Sequence, residues 1–251
     1  MSNATDIRTQ TPVGHDEAMA ITKVEHDKFA ALLASLHDGD WQKATDCDLW
    51  DVRGVACHVL GIAEMVASIK EARHQRKLGI PIFKEKGGVH WIDGCNEVQV
   101  RERYDLSDAE LNARWKAGAD KSLARRTKLP KVIRNLRVLE MPPPVGKVTI
   151  SYLSDIGLTR DVWMHRVDIS VALGREMDVD AAHDGRLVSD MVAEWARTHN
   201  EPFTMTLTGP AGGHFVSGNG AETVELDAIE FCRIISGRAE GTGILAHPLP
   251  L

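Results

Sequence analysis

Between Asp16 and Leu36 the apolar residues Ile21, Val24, Leu32 and Leu36 recur near helical spacing, and His37-Asp38-Gly39-Asp40 interrupts them, which predicts a first long helix. Residues 40–51, DWQKATDCDLWD, read as a polar connector in which Asp48 or Asp51 can cap the next helix. That second helix, predicted from Val52 to Arg76, carries Val55, Ile62, Val66 and Ile69 on one stripe, and Leu78-Gly79-Ile80-Pro81 should stop it. A third is announced by Leu106-Ser107-Asp108-Ala109-Glu110, where Ser107 caps and Glu110 completes a capping box; Leu111, Trp115 and Ala119 follow. From Arg125 to Lys147 the text is basic and then proline-rich (Met141 to Gly146), predicting an extended excursion, before a fourth helix from Ser151 to Leu173. Four amphipathic helices with long connections predict an N-terminal helix bundle.

The pattern changes after Gly174. Asp184 to His199 is again helical, whereas Phe203 to Thr208 (FTMTLT) alternates as a half-buried strand does. HFVSG and ETVELD predict two further strands and AIEFCRIISGR a closing helix. The organisation expected is therefore a helical domain over 1–175 and a small α+β domain over 176–251.

The 30 Lys and Arg against 36 Asp and Glu give a net charge of -6, so no overall positive field favours nucleic acid or anionic lipid. The run Lys128, Lys131, Arg134 and Arg137 is too short to alter that and reads as a solvated face. The N-terminal residues lack a secretory apolar core, and no stretch is long and apolar enough for a membrane span, so a cytoplasmic protein is expected. Cys47, Cys57, Cys95 and Cys232 are widely spaced without a Cys-x-x-Cys pair, which points to reduced thiols; Cys57 reads as a small core residue.

His58 falls inside the apolar stripe of the second helix. Asp161 and His165 lie four apart on an inward face of the fourth, with Asp168 one turn on. Buried carboxylate and imidazole groups need a partner, and a divalent cation bound by both is one solution. An ordinary Asp-His hydrogen bond is another, and His58 can equally be a satisfied core histidine.

The run Asp40-Trp41, Thr45, Cys47 and Trp50-Asp51-Val52-Arg53-Gly54-Val55-Ala56-Cys57-His58 resembles the opening of the mycothiol-dependent maleylpyruvate isomerase family, a branch of the DinB-like four-helix bundles. Asn96, LSDAEL (106–111), the Pro-Gly segment 142–146 and Asp161 to Asp168 (DVWMHRVD) resemble it further. The resemblance implies that His58, Asp161 and His165 ligate one metal; the family places glutamate where this chain has Asp161. Ile235 to Arg238 resembles part of an appended domain of sterol-carrier-like type.

Two imidazoles and one carboxylate suit zinc with an open coordination position. The resemblance then implies that mycothiol is activated there as a thiolate, to isomerise or be transferred to a small electrophile such as maleylpyruvate. Arg238 is the candidate to receive a substrate or thiol carboxylate, with a helix-terminal cation as the alternative. Trp50 and Trp163 can line a pocket or pack between helices. Hydrolysis by metal-bound hydroxide and non-catalytic metal or ligand binding remain competing functions.

Overall fold

The computed structural model describes residues 4–86, 90–141, 146–219 and 222–249. The chain divides into two compact units: Gly14–Met177, and Asp178–Leu251 together with the segment ending at Val13. That segment carries β1 (Thr5–Asp6), in a polar leader where no periodicity announces a strand.

The larger unit is helical. Its long helices are α1 (His15–Ala34), α2 (Val52–Ala67), α3 (Ile69–Lys86), α4 (Trp91–Arg101), α5 (Asp108–Thr127) and α7 (Leu158–Leu173), with a short α6 (Lys131–Arg134). Contacts run from α2 to α5, α5 to α1, α1 to α7 and α7 back to α2, closing a ring of four helices. Phe29, Val55, Leu60, Leu111, Trp115 and Ile169 fill its centre from all four. Asp51 starts α2 by accepting from the Gly54 N–H at 2.8 Å. Ser107 and Glu110 form the expected capping box at α5.

The expected second helix is two. Ser68 leaves the helical region at φ -140 and ψ 123, ends α2, and accepts the Glu71 N–H at 3.3 Å to begin α3. The expected stop at Pro81 does not occur, and α3 runs on to Lys86. Packing overrides the proline penalty: α4 lies so close that a Cβ on Gly94 would sit 2.0 Å from the Gly79 carbonyl oxygen. Within the expected extended stretch, α5 continues to Thr127, α6 follows, and β2 (Leu139–Met141) pairs antiparallel with β3 (Gly146–Val148). The prolines at 142–144 lie outside the described residues. One π-helical turn, Tyr152–Gly157, leads into α7.

The smaller unit combines α8 (Asp184–His199), β4 (Phe203–Thr208), β5 (Gly213–Ser217), β6 (Glu222–Asp227) and α9 (Ala228–Ile235). Its mixed sheet has the order β1-β5-β4-β6, with β4 antiparallel to β5 and parallel to β6. Phe203, Met205 and Leu207 alternate inward along β4, as the sequence pattern requires.

Candidate metal centre

α2 and α7, adjacent in the helix ring, bring the three predicted ligands together. His58 is 3% exposed and His165 5%, while a quarter of the Asp161 side chain remains accessible. The Nε2 atoms of both histidines stand 3.7 Å from Asp161 Oδ1, and the three donor atoms lie within 4.8 Å of one another. At 3.7 Å neither contact is a hydrogen bond. Tetrahedral ligands about 2.0–2.1 Å from zinc stand roughly 3.3 Å apart, so each 3.7 Å spacing needs only a small contraction to close on an ion. Asp161 spans to both rings even though it is one methylene shorter than glutamate.

The far edges of both rings are held. His165 Nδ1 lies 2.8 Å from Asp168 Oδ2, and Asp168 is fully buried. His58 Nδ1 lies 2.8 Å from Gln99 Oε1. With each Nδ1 engaged elsewhere, each Nε2 is left to face the third ligand, the arrangement that metal-binding histidines need. Trp50 covers His58, with ring centroids 4.6 Å apart, and the two imidazoles meet edge to face at 5.0 Å.

Burial opposes charge on His165, but the Asp161 carboxylate, the hydrogen bond to Asp168 and the Cys47 contact outweigh it and push its pKa up to about 10. The same negative field that retains a proton there favours a metal cation in its place. Cys47 Sγ donates to Asp168 Oδ2 at 3.5 Å, so this cysteine belongs to the surroundings of the centre. Cys57, adjacent to His58 in sequence, is buried among apolar groups; burial pushes its thiol up to about 12 and leaves it a core residue. Trp163 is fully buried.

Gln99 has no counterpart among the residues singled out by sequence. The signal for its helix was present in His90, which caps α4, and Asp93, which accepts the His90 N–H at 3.0 Å. Cys47 and Trp50 also line a cavity of about 310 Å³ with Thr45, Leu49, Asp51 and Tyr104, next to the triad rather than on it. Arg238 lies in the smaller unit, half-buried just beyond α9, where its N–H donates to the Arg233 carbonyl at 2.8 Å.

Helix ring and triad together define a bundle protein with a candidate three-ligand metal centre, carrying a second unit built on a small mixed sheet. Residues 23–170 match the family described as the mycothiol maleylpyruvate isomerase N-terminal domain, and the chain belongs to that family. Its fold is similar to that in the crystal structure of the mycothiol-dependent maleylpyruvate isomerase, with a TM-score of 0.58 at 13% identity over 94% of this chain and 92% of that one. A histidine-to-alanine mutant of the mycothiol-dependent maleylpyruvate isomerase gives a TM-score of 0.57 at 13% identity over the same shares. No curated protein matches the chain. Among the described residues no helix is long and apolar enough to cross a membrane.

Proposed function

We propose that the chain is a metal-dependent enzyme that uses mycothiol to isomerise a small unsaturated acid such as maleylpyruvate, or to transfer the thiol to a related electrophile. The observation that carries this reading is the convergence of His58, Asp161 and His165 with both Nδ1 atoms engaged behind them. Two imidazoles and a carboxylate suit zinc, which when bound would acidify a thiol occupying its open position. The accessible part of Asp161 marks the side from which small molecules would arrive, and Trp50 shields His58 from water. A thiol held there would supply reversible addition to and elimination from the double bond, chemistry that would turn a cis acid into its trans isomer with no net change of bonds. Arg238 is assigned the substrate or thiol carboxylate, which a guanidinium can hold through two hydrogen bonds. The cytoplasm, where thiols stay reduced, is the compartment this chemistry needs.

Cobalt-substituted protein titrated with mycothiol tests the reading. Sulfur-to-metal charge-transfer absorption and proton release are expected, with a weaker response to glutathione. A spectrum unchanged by mycothiol, glutathione, bacillithiol and cysteine would reject thiol ligation and favour hydrolysis or simple binding. Asp168→Ala is expected to weaken zinc binding by about 10–100-fold, because it removes the group that orients His165; competition against a chromogenic chelator measures it.

A further inference from the structure

Behind His58 lies a chain of buried side-chain amides that belongs to none of the three ligands. Gly61 makes it possible: a Cβ there would stand 2.5 Å from Gln99 Cβ, so only glycine lets α4 approach α2 closely enough for Gln99 to reach the histidine. Gln99 and Gln75 are both fully buried. Gln75 Nε2 donates to the Gly61 carbonyl at 2.9 Å and to Glu71 Oε1 at 3.0 Å. The carbonyl can only accept. Burial works against the charge of Glu71, but hydrogen bonds from Gln75 and Arg103 hold its pKa below the usual value, so it too is an acceptor.

Those two bonds use both protons of the Gln75 amide nitrogen and turn its oxygen toward Gln99. Gln99 Nε2 donates to that oxygen at 2.9 Å, which leaves Gln99 Oε1 facing His58 Nδ1. An amide oxygen cannot donate, so the proton of a neutral His58 ring must be on Nδ1. The opposite edge makes no competing hydrogen bond: His58 Nε2 stands 3.7 Å from Asp161 Oδ1, beyond hydrogen-bond distance.

We infer that Gln75 and Gln99 are positioning residues that lock His58 in the Nδ1–H tautomer, with the Nε2 lone pair directed at the metal site. Its use for metal binding rests on the function proposed above; the tautomer itself does not. Asp168 performs the equivalent task for His165 with a carboxylate, so one ring is backed by a charge and the other by a neutral amide. The neutral backing avoids adding a further negative charge to a site that already holds Asp161 and Asp168, while still fixing the direction of the lone pair.

The test is two-bond proton-nitrogen NMR on the full chain labelled with nitrogen-15 histidine, with His58→Asn used to identify the His58 signals. Spectra are taken metal-free, with the ring neutral, and after zinc addition. The expected pattern is Nδ1–H in the metal-free protein, retained on zinc addition with the shift confined to Nε2. Gln99→Met should convert the metal-free ring to Nε2–H and weaken zinc binding by about 10–100-fold, and Gln75→Met should give a mixture of tautomers. An Nε2–H ring in the wild-type spectrum overturns the inference, whether or not the variants fold. Zinc bound through Nδ1 overturns it as well. An Nδ1–H ring in a protein that retains no zinc would support the relay and reject the metal centre, which separates the two claims.

Discussion

His165→Ala is expected to lose more than about 100-fold in zinc affinity, because it removes one of the three candidate ligands together with the ring that Asp168 orients. His58→Ala should behave alike, and metal analysis of the purified variants measures both. Stoichiometric metal retained in both would put the binding site elsewhere. The pH dependence distinguishes them. In the metal-free protein the His165 ring holds its proton up to about pH 10, sustained by Asp161, Asp168 and Cys47 against the effect of burial. Zinc must displace that proton, so wild-type affinity should climb with pH toward 10, with about one proton released from this ring per ion near neutrality. Titration calorimetry in buffers of different ionisation heat reads the released protons, and His165→Ala should lose this contribution. The folding effect has a defined sign. Because the folded pKa lies above the ordinary 6.5, the protonated ring stabilises the metal-free fold fully below that value, and the contribution disappears as pH rises through about 10.

The three candidate ligands were legible because helical periodicity places each on an inward face. Asp161 and His165 share one helix, where a spacing of four makes neighbours of their side chains. His58 comes from another helix, and only the family resemblance joined it to them. Their supporting residues were not legible for different reasons. Asp168 stood one turn beyond His165, but choosing it over Asp161 as the partner of Nδ1 requires side-chain geometry. Gln99 sits on α4, whose short apolar pattern is interrupted by polar residues, Gln99 itself being one that is buried, and its link to His58 depends on the close approach at Gly61. The misplaced stop at Pro81 has a related cause, since the Gly79–Gly94 contact holds α3 against α4 where local propensity alone would end a helix. β1 is too short for any alternation, and its pairing with β5 joins residues more than 200 positions apart.

Another buried pair ties α7 to α1, and breaking it should produce the largest loss of stability. Glu25 on α1 is fully buried, and Arg166 on α7 is 2% exposed. Arg166 Nε and Nη2 donate to the two Glu25 oxygens at 2.8 and 3.0 Å, a bidentate arrangement linking helices that neighbour in the ring. Forming such a pair contributes little net stability, because both ions lose hydration. Removing one member is costly, because the other loses its bidentate partner in a poorly polarisable interior. Glu25→Ala should therefore destabilise the helical unit by about 3–5 kcal/mol, whereas Glu25→Met with Arg166→Met should recover most of that loss. Urea unfolding followed by tryptophan fluorescence and by helical circular dichroism measures both, and a lower midpoint at unchanged slope is the expected form. Since Arg166 directly follows His165, Glu25→Ala should also weaken zinc binding, and saturating zinc should restore part of the lost stability by binding only the folded state. A loss below about 1 kcal/mol in Glu25→Ala would show that this pair contributes little to holding α7, and that its other contacts, among them Thr159 with Thr22 on α1 and with Arg126 on α5, keep it in place.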